Sequence, residues 1–292
     1  MSEAASLPPN GTAGRNGSQR GDAPPAALHI DLDGARHIFR LHGWHWAGND
    51  PIYENGVPHA LDFLERAGLR ATFFVIAEDL DDPAKAPLIR EIVRRGHDVA
   101  SHALTHAPLR DLDAAGKRRE IFESRALIAR ELGAEPTGFR APNFSIDGES
   151  LRLLGEAGYA WDSSVVAGSR LRLPADCRLL EIPMPAHRPL PFPWHPSYGL
   201  VLGMHYFERG LRRHLRRQSP LVLLFHLIDF ADPLPAARLS GWSQRLYTLS
   251  HITGARKRDR CRRMLERVHR SFDVAGMDRL IEYARDRRRV HT

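Results

Sequence analysis

A repeated alternation of short apolar segments with longer amphipathic ones constrains the fold of this chain more than any other feature. Apolar runs such as Arg70–Ala77 and Leu221–His226 predict buried strands. Segments with helical spacing, such as Ala114–Leu132, lie between the strands and often end at a glycine. This alternation predicts an α/β fold with a parallel sheet. At this length we expect a distorted or partly open (β/α) barrel, and no glycine-rich phosphate loop follows the first strand to suggest a nucleotide-binding sheet.

The predicted organisation is a disordered tail over residues 1–25 and a single domain over residues 26–292, with basic helices in its last part, from about residue 235. The tail is rich in Gly, Pro, Ala and Ser and has no apolar core, which predicts neither a secretory signal nor a membrane anchor. The two cysteines, Cys177 and Cys261, do not form a disulfide framework. No segment approaches the ~20 apolar residues that span a bilayer. These features favour a cytoplasmic protein, with peripheral contact to the inner membrane face as an open alternative.

The charge balance is moderately basic, with 42 Lys and Arg residues against 35 Asp and Glu and a net charge of +7. The segment Arg256–Arg270 carries eight basic and two acidic residues, most simply explained by a solvated helix face. Contact with an anionic membrane or a phosphorylated carrier is the sharper hypothesis, and Arg209–Arg217 would strengthen it if both helices shared a face. No recognised nucleic-acid-binding module is present, so no nucleic-acid partner is expected. The oligomeric state stays open.

Ionisable residues fall repeatedly where a predicted strand ends. Seven of them lie at or just after the carboxyl end of a predicted strand: Asp31, Asp33, His102, His106, Arg140, Asp162 and His226. In parallel α/β barrels these ends form the active-site face. The sequence therefore predicts that the seven side chains converge at one mouth of the barrel.

Three of these residues suit a metal. His102 and His106 are four residues apart, so a helical turn would place both imidazoles on one face. The spacing alone is a weak signal, because the chain contains 16 histidines. Asp33 would complete a set of two histidines and one carboxylate with open positions for water. Such a set fits Zn²⁺ best, and Co²⁺, Ni²⁺ or Fe²⁺ would fit it too.

The other four residues have both functional and ordinary interpretations. Asp31 is a general base or a surface acid at a strand end. Arg140 needs a carboxylate partner at the barrel mouth, and Asp162, Asp31 or both could serve. His226 is a packed core histidine or, if it lies opposite the metal, the group that protonates a leaving amine.

In this order, these residues resemble the motifs of the polysaccharide deacetylase family, carbohydrate esterase family 4, over roughly residues 28–230. The five matching segments are Asp31-Leu32-Asp33-Gly34, Ser101-His102-Ala103-Leu104-Thr105-His106, Arg140-Ala141-Pro142, Trp161-Asp162-Ser163-Ser164 and Leu223-Leu224-Phe225-His226. The commoner family form has two adjacent aspartates, whereas Leu32 separates them here. The spaced form is similar to the branch of intracellular deacetylases and lipid-linked sugar deformylases.

The resemblance implies metal-dependent hydrolysis of an N-acyl group, acetyl or formyl, from an amino sugar. Asp31 becomes the base, Arg140 held by Asp162 tunes it, and His226 becomes the acid. The metal ligands become Asp33, His102 and His106. The spaced first motif favours a small, nucleotide- or lipid-linked glycoside or a polysaccharide precursor. An allantoinase-like cyclic amide hydrolase and a catalytically silent glycan-binding relative are the alternatives.

Further residues are candidates for substrate binding. Trp44 and Trp46 lie in a predicted loop, His37–Trp46, where flat aromatic faces would suit a pyranose ring. Pro142 and Asn143, which follow Arg140, are similar candidates. A loop that packs back on the barrel is the alternative for the tryptophans.

Overall fold

The computed structural model describes residues 23–174, 177–187 and 192–290, without the side chains of residues 187, 192 and 287–290. The predicted tail of residues 1–25 thus lies outside the described residues except for its last three. Pro25 was wrongly assigned to the tail, because it begins the first strand and is buried there. Within the described ranges, no helix combines the length and the apolar character needed to cross a membrane.

Strands and helices alternate along the chain as the sequence predicts. The strands are β1 Pro25–Asp31, β2 Thr72–Val75, β3 Asp98–Ser101, β4 Gly138–Phe139, β5 Trp161–Asp162, β6 Leu180–Glu181, β7 Ala186–His187, β8 Phe192–Pro193, β9 Leu221–His226 and β10 Asp273–Ala275. The α-helices are α1 Ala35–Leu41, α2 Pro51–Ala67, α3 Ala86–Arg94, α4 Ala114–Leu132, α5 Gly148–Glu156, α6 Pro196–Leu202, α7 Met204–Arg217, α8 Trp242–Tyr247, α9 Gly254–His269 and α10 Met277–Val290. Short 3₁₀ turns cover Ala77–Leu80, Leu109–Asp111, Pro142–Phe144, Leu227–Asp229 and Ala236–Arg238.

The main sheet is an open, curled barrel of parallel strands in the order β9–β1–β2–β3–β4–β5–β6. β10 pairs in parallel with the first half of β1, and β7 and β8 form a separate antiparallel pair. No pairing joins β6 to β9 in the part of the chain that the structure describes, so the barrel stays open there. The prediction of a partly open (β/α) barrel is confirmed.

The central strands are buried because their apolar residues face helices on one side and the barrel interior on the other. Every residue of β1 and β2 is buried, as are the first five of β9. Fully buried parallel strands read as continuous apolar runs, which is why the sequence identified them. Their carboxyl ends lie at one edge of the barrel, and Asp31 and His226 are directly paired there.

The helix boundaries follow local signals. α2 begins at Pro51, because the Asp50 side chain accepts a hydrogen bond from the Tyr53 amide at 3.3 Å and Pro51 occupies the first turn. It ends at Gly68, whose φ of 64° is the left-handed conformation that glycine adopts without strain. The prediction of a loop over His37–Trp46 is partly wrong, because α1 covers its first half.

Candidate active site

Two histidines and one carboxylate meet at the mouth of the barrel. The Nε2 atoms of His102 and His106 lie 3.6 Å and 3.2 Å from Asp33 Oδ1. One ligand atom from each of the three residues falls within 4.8 Å of the others. Both histidines are buried, and the Asp33 side chain is 15% exposed. The predicted convergence of these three residues is thus present in the structure.

The connection between the two histidines is a loop, and the predicted helical turn is wrong. His102 follows β3 directly, and the backbone then takes left-handed conformations at Ala103, with φ of 65°, and at His106, with φ of 62°. Such values are costly for residues with a Cβ atom and are found mainly where the surroundings impose them. Glu120 on α4 helps to hold the loop, because its carboxylate accepts hydrogen bonds from the amides of Leu104 and Thr105.

Burial and mutual charge set the protonation of this group. Burial alone would raise the pKa of Asp33, but the charges of His106 and His102 outweigh it and hold the pKa well below its usual range. Burial lowers the pKa of His102 to about 4, even though Asp31 and Asp33 counteract it. Burial also acts to lower the pKa of His106, yet the neighbouring Asp33 raises it overall.

The three side chains fit a divalent cation. Asp33 Oδ1 and His106 Nε2 are buried and have no hydrogen-bond partner among the described residues, which is costly for polar atoms unless a further ligand satisfies them. His102 Nδ1 lies 2.7 Å from the carbonyl oxygen of Arg140. A ring nitrogen that donates to this carbonyl leaves Nε2 with its lone pair toward Asp33, the orientation usual for a metal-binding histidine.

Asp31 lies beside this group and is fixed by a buried arginine. Asp31 Oδ1 accepts a hydrogen bond from Arg140 Nη1 at 2.8 Å, and Oδ2 lies 3.8 Å from His102 Nε2. The Asp31 and Arg140 side chains are 4% and 0% exposed. Asp31 therefore presents one constrained oxygen to the arginine and the other to the metal-binding group.

Arg140 is held on several sides, and of the two carboxylates expected to pair with it, Asp31 contacts the guanidinium. Its Nε donates to the carbonyl of Ser163 at 3.1 Å, and Nη2 contacts Nδ1 of His29 at 2.6 Å. The guanidinium also lies 4.0 Å from the ring centre of Phe74. Burial, followed by the Arg140 charge, lowers the pKa of His29 well below its ordinary value, so this ring is neutral and can accept the bond.

The predicted Arg140–Asp162 pair is wrong. No hydrogen bond or ion pair joins these residues in the described structure, where the Asp162 carboxylate accepts from the amide and the hydroxyl of Ser164, at 3.0 Å and 2.6 Å. Ser164 Oγ in turn accepts from the Ala141 amide at 2.7 Å. Burial raises the pKa of Asp162 above its usual value. Asp162 thus supports the backbone after Arg140 and leaves the guanidinium to Asp31.

His226 lines the same pocket from the end of β9, next to Asp31 on β1. Its Nδ1 lies 2.9 Å from Ser197 Oγ, and the same hydroxyl donates to Asp229 Oδ2 at 2.6 Å. Asp229 Oδ2 also accepts from the His226 amide at 2.9 Å. Because the Ser197 hydroxyl donates its proton to the Asp229 carboxylate, the hydroxyl oxygen is free to accept a hydrogen bond from His226 Nδ1. The chain His226–Ser197–Asp229 therefore fixes the orientation of the imidazole.

A pocket of about 710 Å³ joins these groups. It is lined by the predicted Asp31, Asp33, His102, His106, Arg140, Asn143 and His226. Trp44, Trp46 and Pro142 are not among the described residues that line this pocket, and their role in substrate binding stays a prediction. The two tryptophans pack edge-on against Phe39, with ring centres 5.6 Å and 4.9 Å away, as the alternative interpretation of that segment expected.

Known proteins were compared with the chain. The family model described as polysaccharide deacetylase matches residues 46–161. A chitin deacetylase from Pestalotiopsis sp is 33% identical over 100 residues, which make up 34% of each protein. The chitooligosaccharide deacetylase of Sinorhizobium fredii is 38% identical over 84 residues, 28% of this chain and 35% of that protein. The chain is similar to the polysaccharide deacetylase family over the segment that the family model matches, which makes up less than half of its length. The matched segments span about a third of the length of these two relatives.

Solved structures show that the polysaccharide deacetylase fold extends over nearly the whole chain. A crystal structure from Mycobacterium smegmatis, described as a candidate polysaccharide deacetylase, aligns with a TM-score of 0.65 at 20% identity and covers 99% of this chain and 96% of that one. The Puue allantoinase aligns with a TM-score of 0.57 at 18% identity and covers 98% of this chain and 97% of that one. At these identities the likeness concerns the fold alone.

Several residues of this candidate site could not be identified from the sequence motifs. His29, Ser197 and Asp229 contact Arg140 or His226 but belong to none of the motifs considered. His195, which lines the pocket, is buried with its ring centre 5.1 Å from that of His226. The only sequence signal was weak: Asp229 comes three residues after His226 in a segment that reads as apolar.

Proposed function

We propose that the protein is a metal-dependent N-deacetylase that hydrolyses the N-acyl group of an amino sugar. The observation that carries the proposal is the arrangement in one pocket of three candidate metal ligands, a carboxylate beside them and a histidine at the end of the neighbouring strand. Amide hydrolysis needs an activated water, a base and an acid for the leaving amine, and these groups match that need. The similarity to chitin and chitooligosaccharide deacetylases supports the same reaction.

Asp33, His102 and His106 would hold the cation. A bound divalent cation would polarise the acyl oxygen and make water a better nucleophile near neutral pH. The donor set of two imidazoles and one carboxylate fits Zn²⁺, and Co²⁺, Ni²⁺ and Fe²⁺ remain compatible with it. His102 is kept ready for this role, because burial lowers its pKa to about 4 and neutral imidazole is the ligating form.

Asp31 is the proposed general base. Its Oδ2 faces His102 and is positioned to accept a proton from water attacking the acyl carbon, while Arg140 retains Oδ1. Arg140 therefore acts as a positioning residue that prevents the carboxylate from rotating away. His29 and Ser163 hold the guanidinium for this purpose.

His226 is the proposed general acid. With Nδ1 bonded to Ser197, its Nε2 is the nitrogen left to deliver a proton to the departing amine. Asp229 accepts from Ser197 and from the His226 backbone, and its negative charge would stabilise an imidazolium at this position.

Acetate or formate release is the direct test of the proposal. We expect the metal-loaded protein to release one of these acids from N-acylated glucosamine glycosides and to leave cyclic ureides intact. Asp31→Asn should lower kcat by about 10²- to 10⁴-fold, the usual contribution of a positioned base. Asp62→Asn, on a side chain that is 50% exposed on α2, is the matched control and should not change kcat.

Two results would contradict the proposal. Hydrolysis of cyclic ureides without release of acid from any amino sugar would favour the allantoinase-like reaction. Unchanged turnover in Asp31→Asn would exclude the assigned base. A protein that binds glycans but releases neither acid with any of the four metals would be a silent relative.

A further inference from the structure

The rim of the catalytic pocket is unusually apolar and exposed. Seven large hydrophobic side chains are exposed in the described ranges, and five of them line this single pocket: Leu41, Val201, Leu202, Leu246 and Tyr247. Their exposed fractions run from 37% for Leu246 to 60% for Leu202. Isolated exposed apolar residues need no explanation, whereas a contiguous group around a cleft marks a binding surface.

Three separate elements build this rim. Leu41 ends α1, Val201 and Leu202 end α6, and Leu246 and Tyr247 end α8. The end of α1 contacts α8 directly, because the ring centres of His42 and Tyr247 are 4.1 Å apart. We call Leu41, Val201, Leu202, Leu246 and Tyr247 the apolar rim.

The apolar surface continues from the rim inward to the reacting groups. Ile38, Phe144, Ile228 and Leu249 line the same pocket between the rim and the catalytic residues. The floor is polar and buried: Asp31, His102 and Arg140 are at most 3% exposed. The pocket is therefore amphipathic along its depth, polar at its floor and apolar at its mouth.

The residues that line the pocket favour some substituents on an amino sugar over others. Among the described residues that line the pocket, Arg140 is the sole Arg or Lys, and it is bonded to Asp31, His29 and Ser163. This described part of the pocket wall therefore offers a nucleotide diphosphate no uncommitted cation. An extended sugar polymer would need hydrogen-bonding side chains at the mouth, where aliphatic ones dominate. A hydrocarbon chain matches this surface, since its burial there is favourable.

We propose that the substrate is an N-acyl amino sugar that carries a hydrocarbon aglycone, and that the apolar rim binds this chain. The inference rests on the proposed deacetylase function and specifies its substrate class. Because the scissile acyl group must reach the polar floor, the aglycone is the part of the substrate directed to the mouth. The hydrocarbon is therefore attached at the glycosidic position and is not the acyl group that is released.

Alkyl glycosides of N-acetylglucosamine test the inference, each used below its critical micelle concentration. Between the methyl and the octyl glycoside we expect kcat/KM to rise about tenfold or more, since each buried methylene adds to binding. Leu202→Ser and Leu246→Ser should reduce the octyl-to-methyl ratio. Val93→Ser is the matched control, because Val93 is 40% exposed on α3 and does not line the pocket, so the ratio should stay as in the wild type.

A binding measurement keeps the inference testable without turnover. Octyl glucosaminide, which lacks the acyl group, should bind the wild type more tightly than methyl glucosaminide in calorimetry, with a negative heat-capacity change typical of apolar burial. Leu202→Ser should weaken this binding, and Val93→Ser should not.

Distinct outcomes separate failure of the inference from failure of the proposed function. Equal kcat/KM for methyl and octyl glycosides, or a higher value for chitooligosaccharides, would overturn the inference and leave the deacetylase function intact. A gain for N-octanoylglucosamine in place of the octyl glycoside would assign the rim to the acyl chain and overturn it too. A gain seen only for glycosides embedded in vesicles would indicate docking on a bilayer. Absence of acid release from every glycoside would reject the proposed function. The calorimetric binding of octyl glucosaminide would still show whether the apolar rim binds a hydrocarbon chain.

Discussion

At the scale of single residues, Ser197 lies outside the sequence motifs but orients His226, which lies within one of them. Its hydroxyl stands between His226 Nδ1 and Asp229 Oδ2, at 2.9 Å and 2.6 Å. The histidine cannot reach the carboxylate through its ring in this arrangement, so the serine transmits the orienting effect. Ser197 lines the pocket together with the candidate catalytic residues, so these hydrogen bonds lie close to the proposed reaction.

We expect Ser197→Ala to lower kcat about tenfold, in line with the loss of one or two hydrogen bonds to a charged group, and to leave KM nearly unchanged. Ser197→Thr keeps the hydroxyl and should restore most of the activity. Steady-state kinetics with the methyl glycoside would measure both parameters. Ser219→Ala is the control, because Ser219 also bonds a histidine Nδ1, that of His214 at 3.2 Å, but does not line the pocket. An equal loss in Ser219→Ala would indicate a structural effect only.

At the scale of elements, β4 and β5 show how closely the backbone is packed beneath the site. A Cβ atom added to Gly138 would lie 2.0 Å from Cζ2 of Trp161 on the adjacent strand. Gly138→Ala should therefore destabilise the protein by about 1–3 kcal/mol through overpacking, or by more if the strand shifts. Urea denaturation would measure this. Gly148→Ala, where an added Cβ meets nothing within 4 Å, is the control and should change stability far less.

Helix α9 buries a lysine that sets a pH-dependent stability. Lys257 is fully buried, and its Nζ donates to the Ile228 carbonyl at 2.7 Å. Burial lowers the pKa of Lys257 to about 8, although Asp229 and Cys261 act to raise it. The unfolded chain has a lysine pKa of about 10.4, so the folded state is penalised for binding this proton below pH 8. The penalty disappears as the pH rises from about 8 to about 10.4.

We therefore expect the unfolding free energy of the wild type to rise, relative to that of Lys257→Met, across this pH window. Urea unfolding of both proteins at several pH values between about 7.5 and about 10 would measure how the difference in their unfolding free energies changes with pH. Lys117→Met should show no such gain, because the hydrogen bonds that Lys117 donates to Asp147 and Glu149 raise its pKa. Parallel curves for the wild type and Lys257→Met would contradict the prediction.

The basic character of α9 is largely used within the fold. Arg258 bonds Asp232, Arg262 bonds Asp259 and Glu266, and Arg267 lies 3.2 Å from Glu208 on α7. Helix α7, which contains the basic segment Arg209–Arg217, packs against α9. These internal partners account for much of the positive charge that suggested contact with an anionic membrane, which remains a hypothesis.

At the scale of the whole molecule, the candidate metal site combines side chains that follow two different strands. Asp33 comes after β1, and His102 and His106 come after β3. A ligand that binds only the folded state stabilises it, by about 2.7 kcal/mol when its concentration is 100 times its Kd. We expect Zn²⁺ to raise the unfolding midpoint of chelator-treated protein, with no such rise in His102→Ala or Asp33→Ala. His97→Ala, on a partly buried histidine before β3, should keep the shift. Thermal unfolding by circular dichroism, with and without Zn²⁺, would measure it. A rise that persists in both ligand variants would place the binding elsewhere.

The residue types and their order along the chain determined the parallel barrel and most of its reacting groups. Buried strands are continuous apolar runs, and a charged residue at the end of such a run is costly unless it has a function, so Asp31, His102 and His226 were identifiable. The tertiary structure alone decided the pairings. Arg140 bonds Asp31 and not Asp162, because the choice among buried carboxylates depends on strand curvature and side-chain reach.

The short elements also escaped prediction for a physical reason. Helices α1, α6 and α8 have only seven, seven and six residues, too few for a periodic pattern, and they are stabilised mainly by packing on the barrel. These helices carry the apolar rim, whose members are scattered over some 200 positions of the sequence. Local patterns thus predicted the candidate metal-binding and catalytic side chains. The shape and polarity of the pocket mouth arise only when distant segments fold against one another, because no local periodicity encodes that contact.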